Sequence, residues 1–387
     1  MTSVATAEKH ASNPMEVVYF GIGSTHLASQ AYAYFPARNT LLDASERPLN
    51  KHAIKDNEFT SRMLNLFIQL ESKAGRDGFD INHIATNVVI SLPGAALRDQ
   101  QDSALNGVAD IFLGTDITII DDTWATLFAE TLTTKGICAI AGVGSSACIC
   151  LDGFPVDDKF YKIDGWGPVI GDFGSAFDLS VEYYRRLNRL SDQTPRRDCP
   201  LFPAVKKLYS TTSFPLADPV AVQDWCDGIV SSISSEWRGE FSKTAKAIAA
   251  VADQPQSKDE QEHSCQLIDR ASRDFIDTIS LAIHRSEKFG AASLPVVLHG
   301  EMFEWSLKFR QSVISSIETK HTVRPTVSNY GPAIGALLYS VNLGMQQANA
   351  AAASLDLTTA QLDGKARPRE PLPTLERLRQ RAVAITH

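Results

Sequence analysis

The sequence predicts an α/β protein built from two lobes, and two observations carry that prediction. Between residues 56 and 132, amphipathic and buried extended runs alternate as helix, strand, helix, strand, helix, the order that gives parallel strand pairing. Glycine-centred hairpin signals occur twice, within residues 16–35 and 137–151, so a similar unit opens each half. A chain of 387 residues has room for about two to three domains.

The first hairpin begins with Val17 and Val18, turns at Gly21 and Gly23, and resumes extended character from Ala31 to Phe35. Phe59, Met63, Leu66, Phe67 and Leu70 recur at helical spacing and predict a helix over residues 56–74. Residues 86–92 are apolar and β-branched, end at Pro93-Gly94, and read as a buried strand. A helix over 96–109 follows, then a strand over 117–120 that stops at Asp121-Asp122, then a helix over 123–132. In the second group, strands over 138–141 and 147–151 flank the loop Gly142-Val143-Gly144-Ser145-Ser146. Helical patterns fill residues 219–290, with Leu267, Ala271, Phe275 and Ile279 on one face and a polar break at 254–262. A short strand at 294–298 closes on Gly300, and a late helix starts at Gly331. Past Met345 the chain becomes alanine-rich, and Pro368, Pro371 and Pro373 mark a linker. A short terminal helix carrying Leu375 and Leu378 completes a tail expected to be peripheral.

Composition excludes several classes. At 44% hydrophobic and 21% charged residues, the chain can bury a core and is not disordered throughout. Lys and Arg number 37 against 45 Asp and Glu, so the net charge of -8 gives no general attraction to nucleic acid or an anionic membrane. Residues 1–13 are polar and lack a secretory apolar stretch, predicting a disordered N-terminus over 1–15. The most apolar run, 137–150, falls short of the roughly 20 residues that span a bilayer. Six irregularly spaced cysteines form no disulfide framework, which predicts reduced thiols and a cytoplasmic protein. The nine histidines show no metal-binding spacing, and Cys148-x-Cys150 has no second pair nearby, so no protein-made metal site is expected.

Three segments suggest chemistry. Gly142-Val143-Gly144-Ser145-Ser146-Ala147 matches G-x-G-x-x-A, but a strand follows where a dinucleotide site needs a helix. It is left as a backbone nest for phosphate or as an ordinary tight turn. Asp121 and Asp122 stand at the carboxyl end of a strand as a helix begins, where open α/β sheets place ligands. One can cap the helix while the other faces a ligand, and the sequence leaves open which does which. Gly165, Gly167, Gly171 and Gly174 surround Trp166 and Asp172, which suits a loop approached closely by a sugar ring. The alternative is a structural loop with Asp172 capping a helix over 175–184.

In this order the segments resemble the sugar-kinase, Hsp70 and actin superfold, and specifically the N-acetylglucosamine kinase and BadF/BadG-type ATPase family, over about residues 17–340. The G-W-G of 165–167 with Gly171-Asp172-Phe173-Gly174-Ser175 is the most specific match. The resemblance implies two ribonuclease-H-like lobes of the actin-like ATPase kind, 16–121 and 122–331, with a helical insertion at about 219–290 in the second. A closing helix at 332–345 and a tail at 346–387 would follow. It implies that Gly165, Trp166 and Asp172 bind an amino sugar and that Asp122 is the general base of an N-acetylglucosamine kinase-like phosphoryl transfer. ATP and Mg²⁺ would be the cofactors, held by Gly21, Gly23 and Ser24, by Gly142, Gly144 and Ser145, and by Gly300. Relatives are commonly dimers, so a homodimer is implied. Three residues depart from the family pattern: Phe20 stands where an acid orients Mg²⁺, Ile22 enters the first phosphate loop, and Val143 replaces a threonine in the second. Losing one such donor costs about 10²-fold in rate. The departures open two further readings: a cofactor-free enzyme using Asp122 and Asp172 for isomerisation, elimination or cyclisation, and a non-catalytic sugar-binding regulator.

Overall fold

The computed structural model describes residues 17–49, 56–78, 85–112, 114–151, 160–193, 198–209, 235–291, 293–359 and 372–386. The expected disordered N-terminus, residues 219–234 of the expected insertion, and the linker prolines Pro368 and Pro371 lie outside them.

Two five-stranded mixed sheets form the frame. The first holds β1 (Val18–Ser24), β2 (Ser29–Phe35), β3 (Thr40–Glu46), β4 (Ala85–Leu92) and β5 (Asp116–Asp121) in the order β3-β2-β1-β4-β5. The second holds β6 (Gly136–Ala141), β7 (Ser145–Cys150), β8 (Phe160–Asp164), β9 (Val296–His299) and β10 (Thr326–Val327) in the order β8-β7-β6-β9-β10. In each, the first three strands form an antiparallel meander and the fourth and fifth add in parallel on the far side of the first. The duplication expected from the two hairpins is therefore complete at the level of topology. Strands β3 and β8 lack clear alternation and were not among the expected elements.

Helices fill three layers. In the first lobe, α1 (Asp56–Arg76) and α2 (Arg98–Asn106) follow the sequence reading. Phe59, Met63, Leu66 and Leu70 of α1 pack with Val18, Phe20 and Ile22 of β1 on the outer face of the first sheet. In the second lobe, α4 (Ala176–Ser191), α5 (Phe202–Tyr209), α6 (Ser235–Asp253), α7 (Lys258–Lys288), α8 (Glu301–Trp305) and α9 (Leu307–Lys320) line up after one another in the chain. Leu267, Ala271, Phe275 and Ile279 of α7 bury against the outer face of the second sheet, as their spacing predicts. Between the sheets lie α3 (Asp122–Thr131), α10 (Pro332–Thr359) and α11 (Leu372–Thr386), with Trp124, Leu337 and Leu378 in one shared core.

Three expectations change. The first hairpin does not turn at Gly21 and Gly23: both lie inside β1, and the turn is formed by residues 25–28, where the Thr25 N–H donates to Ala28 O at 2.9 Å. The glycines serve a different purpose. A Cβ on Gly21 would fall 2.1 Å from Leu337 N, and one on Gly23 2.2 Å from Ala333 N, so they let α10 lie directly on the strand. The closing helix runs to Thr359, well beyond 345. The segment expected as a peripheral tail contains α11, whose Leu375, Leu378 and Ala382 are buried. Arg379 of that helix donates to the carbonyls of Ala129 and Glu130 at the end of α3. Among the described residues no helix is long and apolar enough to cross a membrane.

Candidate active site

A cavity of about 900 Å³ opens between the lobes. The sheet topology positions it: β5 delivers Asp121 and Asp122 at its carboxyl end, the β6–β7 turn delivers Gly142, Val143 and Gly144, and the segment after β8 delivers residues 164–174.

Asp121 is fully buried and caps α3. Its Oδ1 accepts from the Thr123 N–H at 3.0 Å and also from the Thr123 hydroxyl. That leaves Asp122, the first residue of α3, to line the cavity. Burial, and next the Asp121 charge beside it, push the Asp122 carboxyl well above the usual range, while Lys162 opposes them. The choice that the sequence left open is thereby made by the cap.

The glycine-rich loop is held by acids. Asp164, at the end of β8, accepts from the Asp172 N–H at 2.9 Å and from the Phe173 N–H at 3.0 Å. Asp172 has a left-handed backbone (φ +59°) and its buried carboxylate pairs with Arg238 of α6. The capping role goes to Ser175, whose hydroxyl accepts from the Asp178 N–H at 3.1 Å, so Asp172 is not the helix cap. Burial raises the Asp172 carboxyl, and Arg238 pulls the other way. Trp166 lies on the cavity edge with 73% of its surface exposed, an indole face without a packing partner's cover.

The β6–β7 turn docks on the start of α4: the Ala176 N–H donates to Gly142 O at 2.8 Å and the Phe177 N–H to Val143 O at 3.2 Å. Val143 is buried, and the Ser145 hydroxyl donates to Phe173 O at 2.8 Å. A Cβ on Gly142 would lie 2.1 Å from Glu301 Oε2, so the Glu301 carboxyl rests on the turn. Burial pushes that carboxyl up to about 7. Across the cleft, His26 of the β1–β2 turn is pushed down to about 3 by burial and by the Arg238 and Lys162 charges, so it is a neutral imidazole.

The cavity thus brings together Asp122, Gly142, Gly144, Ser145, Gly165, Trp166, Asp172 and Gly300. Gly21, Gly23 and Ser24 do not line it. The first two face α10, and the buried Ser24 Oγ accepts from the Ser29 hydroxyl and the Leu49 N–H, both at 2.9 Å. Phe20 and Ile22 do not enter a phosphate loop either. They alternate with the glycines along β1, so they point into the outer core, where Phe20 lies 6.1 Å from the Phe67 and Phe112 ring centroids. Sequence reasoning missed His26, Lys162, Asp164, Arg238 and Glu301. Only Asp164 and Glu301 carried a signal, by adjacency to Gly165 and Gly300. Among the described residues no cluster of His, Cys, Asp and Glu has metal-binding geometry.

No family model and no curated protein matches the chain at the level of sequence. Solved structures do match. Two are named as putative N-acetylglucosamine kinases. The one from Chromobacterium violaceum is 16% identical, covers 84% of this chain and 100% of that one, and gives a TM-score of 0.62. The one from Porphyromonas gingivalis is also 16% identical, covers 84% and 98%, and gives 0.56. These similarities show the fold: the chain is an α/β protein with the two-lobed architecture of the actin-like ATPases.

Proposed function

We propose that this chain is a sugar-kinase-like enzyme in which Asp122 accepts the proton of a hydroxyl on N-acetylglucosamine or a related amino sugar as that oxygen attacks the terminal phosphoryl group of ATP. One observation carries the reading: Asp122 lines a single cavity together with the Trp166–Asp172 loop and the Gly142–Gly144 turn that packs beside it. A base there reaches an acceptor hydroxyl only if sugar and phosphate subsites are continuous, and lining by both segments of one cavity supports that.

The residues present fit a nucleotide. The Gly142–Gly144 turn is backed by the first N–H groups of α4, which fixes its backbone. Glu301, the carboxyl on that turn, holds a proton in part of the population near neutral pH and can then donate to a phosphate oxygen. Arg238, Arg285 and Lys162 add positive charge to the cavity wall. ATP with its Mg²⁺ would supply the transferable phosphoryl group and the neutralisation of its oxygens. On the sugar side, Trp166 offers a ring face and Asp172, steadied by Arg238, accepts from hydroxyls. In this reading Asp122, among the acids that line the cavity, takes the hydroxyl's proton.

A second reading, ATP-independent acid/base chemistry on a sugar-like ligand, is favoured by β1. That strand contains no acid, and Phe20 and Ile22 face the core. Isothermal titration separates the two. Binding of both N-acetylglucosamine and Mg-ATP supports the kinase. Binding of sugar with no Mg-ATP signal supports the second reading and defeats the first.

A further inference from the structure

Lys162 lines the cavity beside the two acids of the β5–α3 junction. It stands on β8, paired in register with Cys148 of β7, on the sheet face that looks toward α3. From there its Nζ comes within 3.7 Å of Asp121 Oδ2, a buried carboxylate oxygen with no hydrogen-bond partner. Its stem runs under the sugar loop. A Cβ on Gly165 would lie 2.8 Å from Lys162 Cε and 3.4 Å from Nζ. The first glycine of G-W-G is demanded twice, by its left-handed backbone (φ +75°) and by Ser146 Cβ, 2.7 Å from where its own Cβ would stand, with the lysine tip close beside it.

We propose that Lys162 is a positioning residue for Asp122: it ties the Asp121–Asp122 strand end to the loop carrying Gly165 and Asp172, and its charge keeps Asp122 usable as a base. The proposal rests on Asp122 being the working carboxyl of the cavity. Charge around the pair supports it. Asp121 and Asp122 come from the β5–α3 junction, Asp172 from the sugar loop, Arg238 from α6, and His26, uncharged, from the β1–β2 turn. Cys138 of β6 and Cys148 of β7 also face these acids and the lysine, and losing Lys162 removes the cation that opposes the Asp121 charge on Asp122. Burial disfavours the ammonium, yet Asp121, Asp122 and Asp172 outweigh it and hold Lys162 charged.

The test reads the carboxyl itself and does not depend on turnover. Infrared difference spectra along a pH titration give the protonated-carboxyl band of Asp122, identified by its loss in Asp122→Asn. Lys162→Met and Lys162→Gln should shift the disappearance of that band to higher pH by about one unit or more, the scale of a near, partly buried charge. Lys162→Arg should bring it back toward the wild-type position, which a purely structural role would not do. An unshifted band in both neutral variants overturns the proposal. So does an equal shift in Lys162→Arg. If instead the wild-type protein neither binds nor phosphorylates a sugar, the kinase reading fails while the band still decides the role of Lys162.

Discussion

Phe20→Ala is a sharp test of how β1 is oriented, because the two faces of that strand predict opposite outcomes. The side chain is fully buried, with Phe67 and Phe112 rings each 6.1 Å away. Truncating a phenylalanine in such a core costs about 3–5 kcal/mol, the transfer term plus the cavity left behind. For a unit of this size each kcal/mol lowers the melting temperature by roughly 2–4 °C, so the loss should be on the order of 10 °C. The α10 face of β1, where Gly21 and Gly23 sit, is untouched, so the β1–β2 turn and its His26 should stay in place. Calorimetric melting together with ligand titration gives both numbers. The expected result is a large drop in stability with unchanged affinity below the transition. A variant that melts within about 2 °C of wild type but binds nucleotide more tightly would refute the reasoning, since it would put Phe20 in the cleft. By the same logic Phe20→Asp buries a lone carboxylate and unfolds the lobe instead of rebuilding a metal site.

Glu301 makes stability pH-dependent. Its carboxyl is raised from 4.5 to about 7 in the folded protein, so folding is favoured while it is protonated and that advantage is lost as pH rises from about 4.5 to about 7. Glu301→Gln should therefore gain on wild type between pH 5 and pH 8, by up to about 3 kcal/mol at about 1.36 kcal/mol per unit; parallel stability curves would contradict this. Arg238→Ala leaves the buried Asp172 carboxylate without its cation and should cost about 3–5 kcal/mol in urea denaturation. Adding Asp172→Asn should recover part of that loss, and strict additivity would mean the pair is not coupled. Leu378→Ala in α11 should destabilise by about 2–5 kcal/mol, whereas a neutral effect would return the C-terminal segment to the periphery.

What the sequence made legible follows from how local each signal was. The strand-to-helix junction at Asp121-Asp122 is written in consecutive residues, and so is the glycine density around Trp166. Asp122 of the first and Gly165, Trp166, Gly167 and Asp172 of the second line the cavity. The two hairpins announced a duplication that the sheet orders complete. The roles of Gly21 and Gly23 were not legible, because a glycine that accommodates a distant helix looks identical to one that turns a hairpin. The reason for them, α10, arrives from the other end of the chain. Arg238 is separated from Asp172 by 66 positions and comes from a helical segment whose pattern indicates only burial. Lys162 sits in a five-residue strand too short and irregular to announce itself. The resemblance puts Phe20 and Ile22 in a phosphate loop, but strand alternation assigns both to the core.

The central claim is that Asp122 is the base of a phosphoryl transfer to a sugar hydroxyl in this cavity. Single-turnover transfer of labelled γ-phosphate from Mg-ATP to N-acetylglucosamine, wild type against Asp122→Asn, tests it most directly. The account predicts labelled sugar phosphate from wild type and a loss of about 10²–10⁴-fold in Asp122→Asn, with sugar affinity kept. Sugar that binds wild type but never acquires label, or label transferred equally by both proteins, would contradict it.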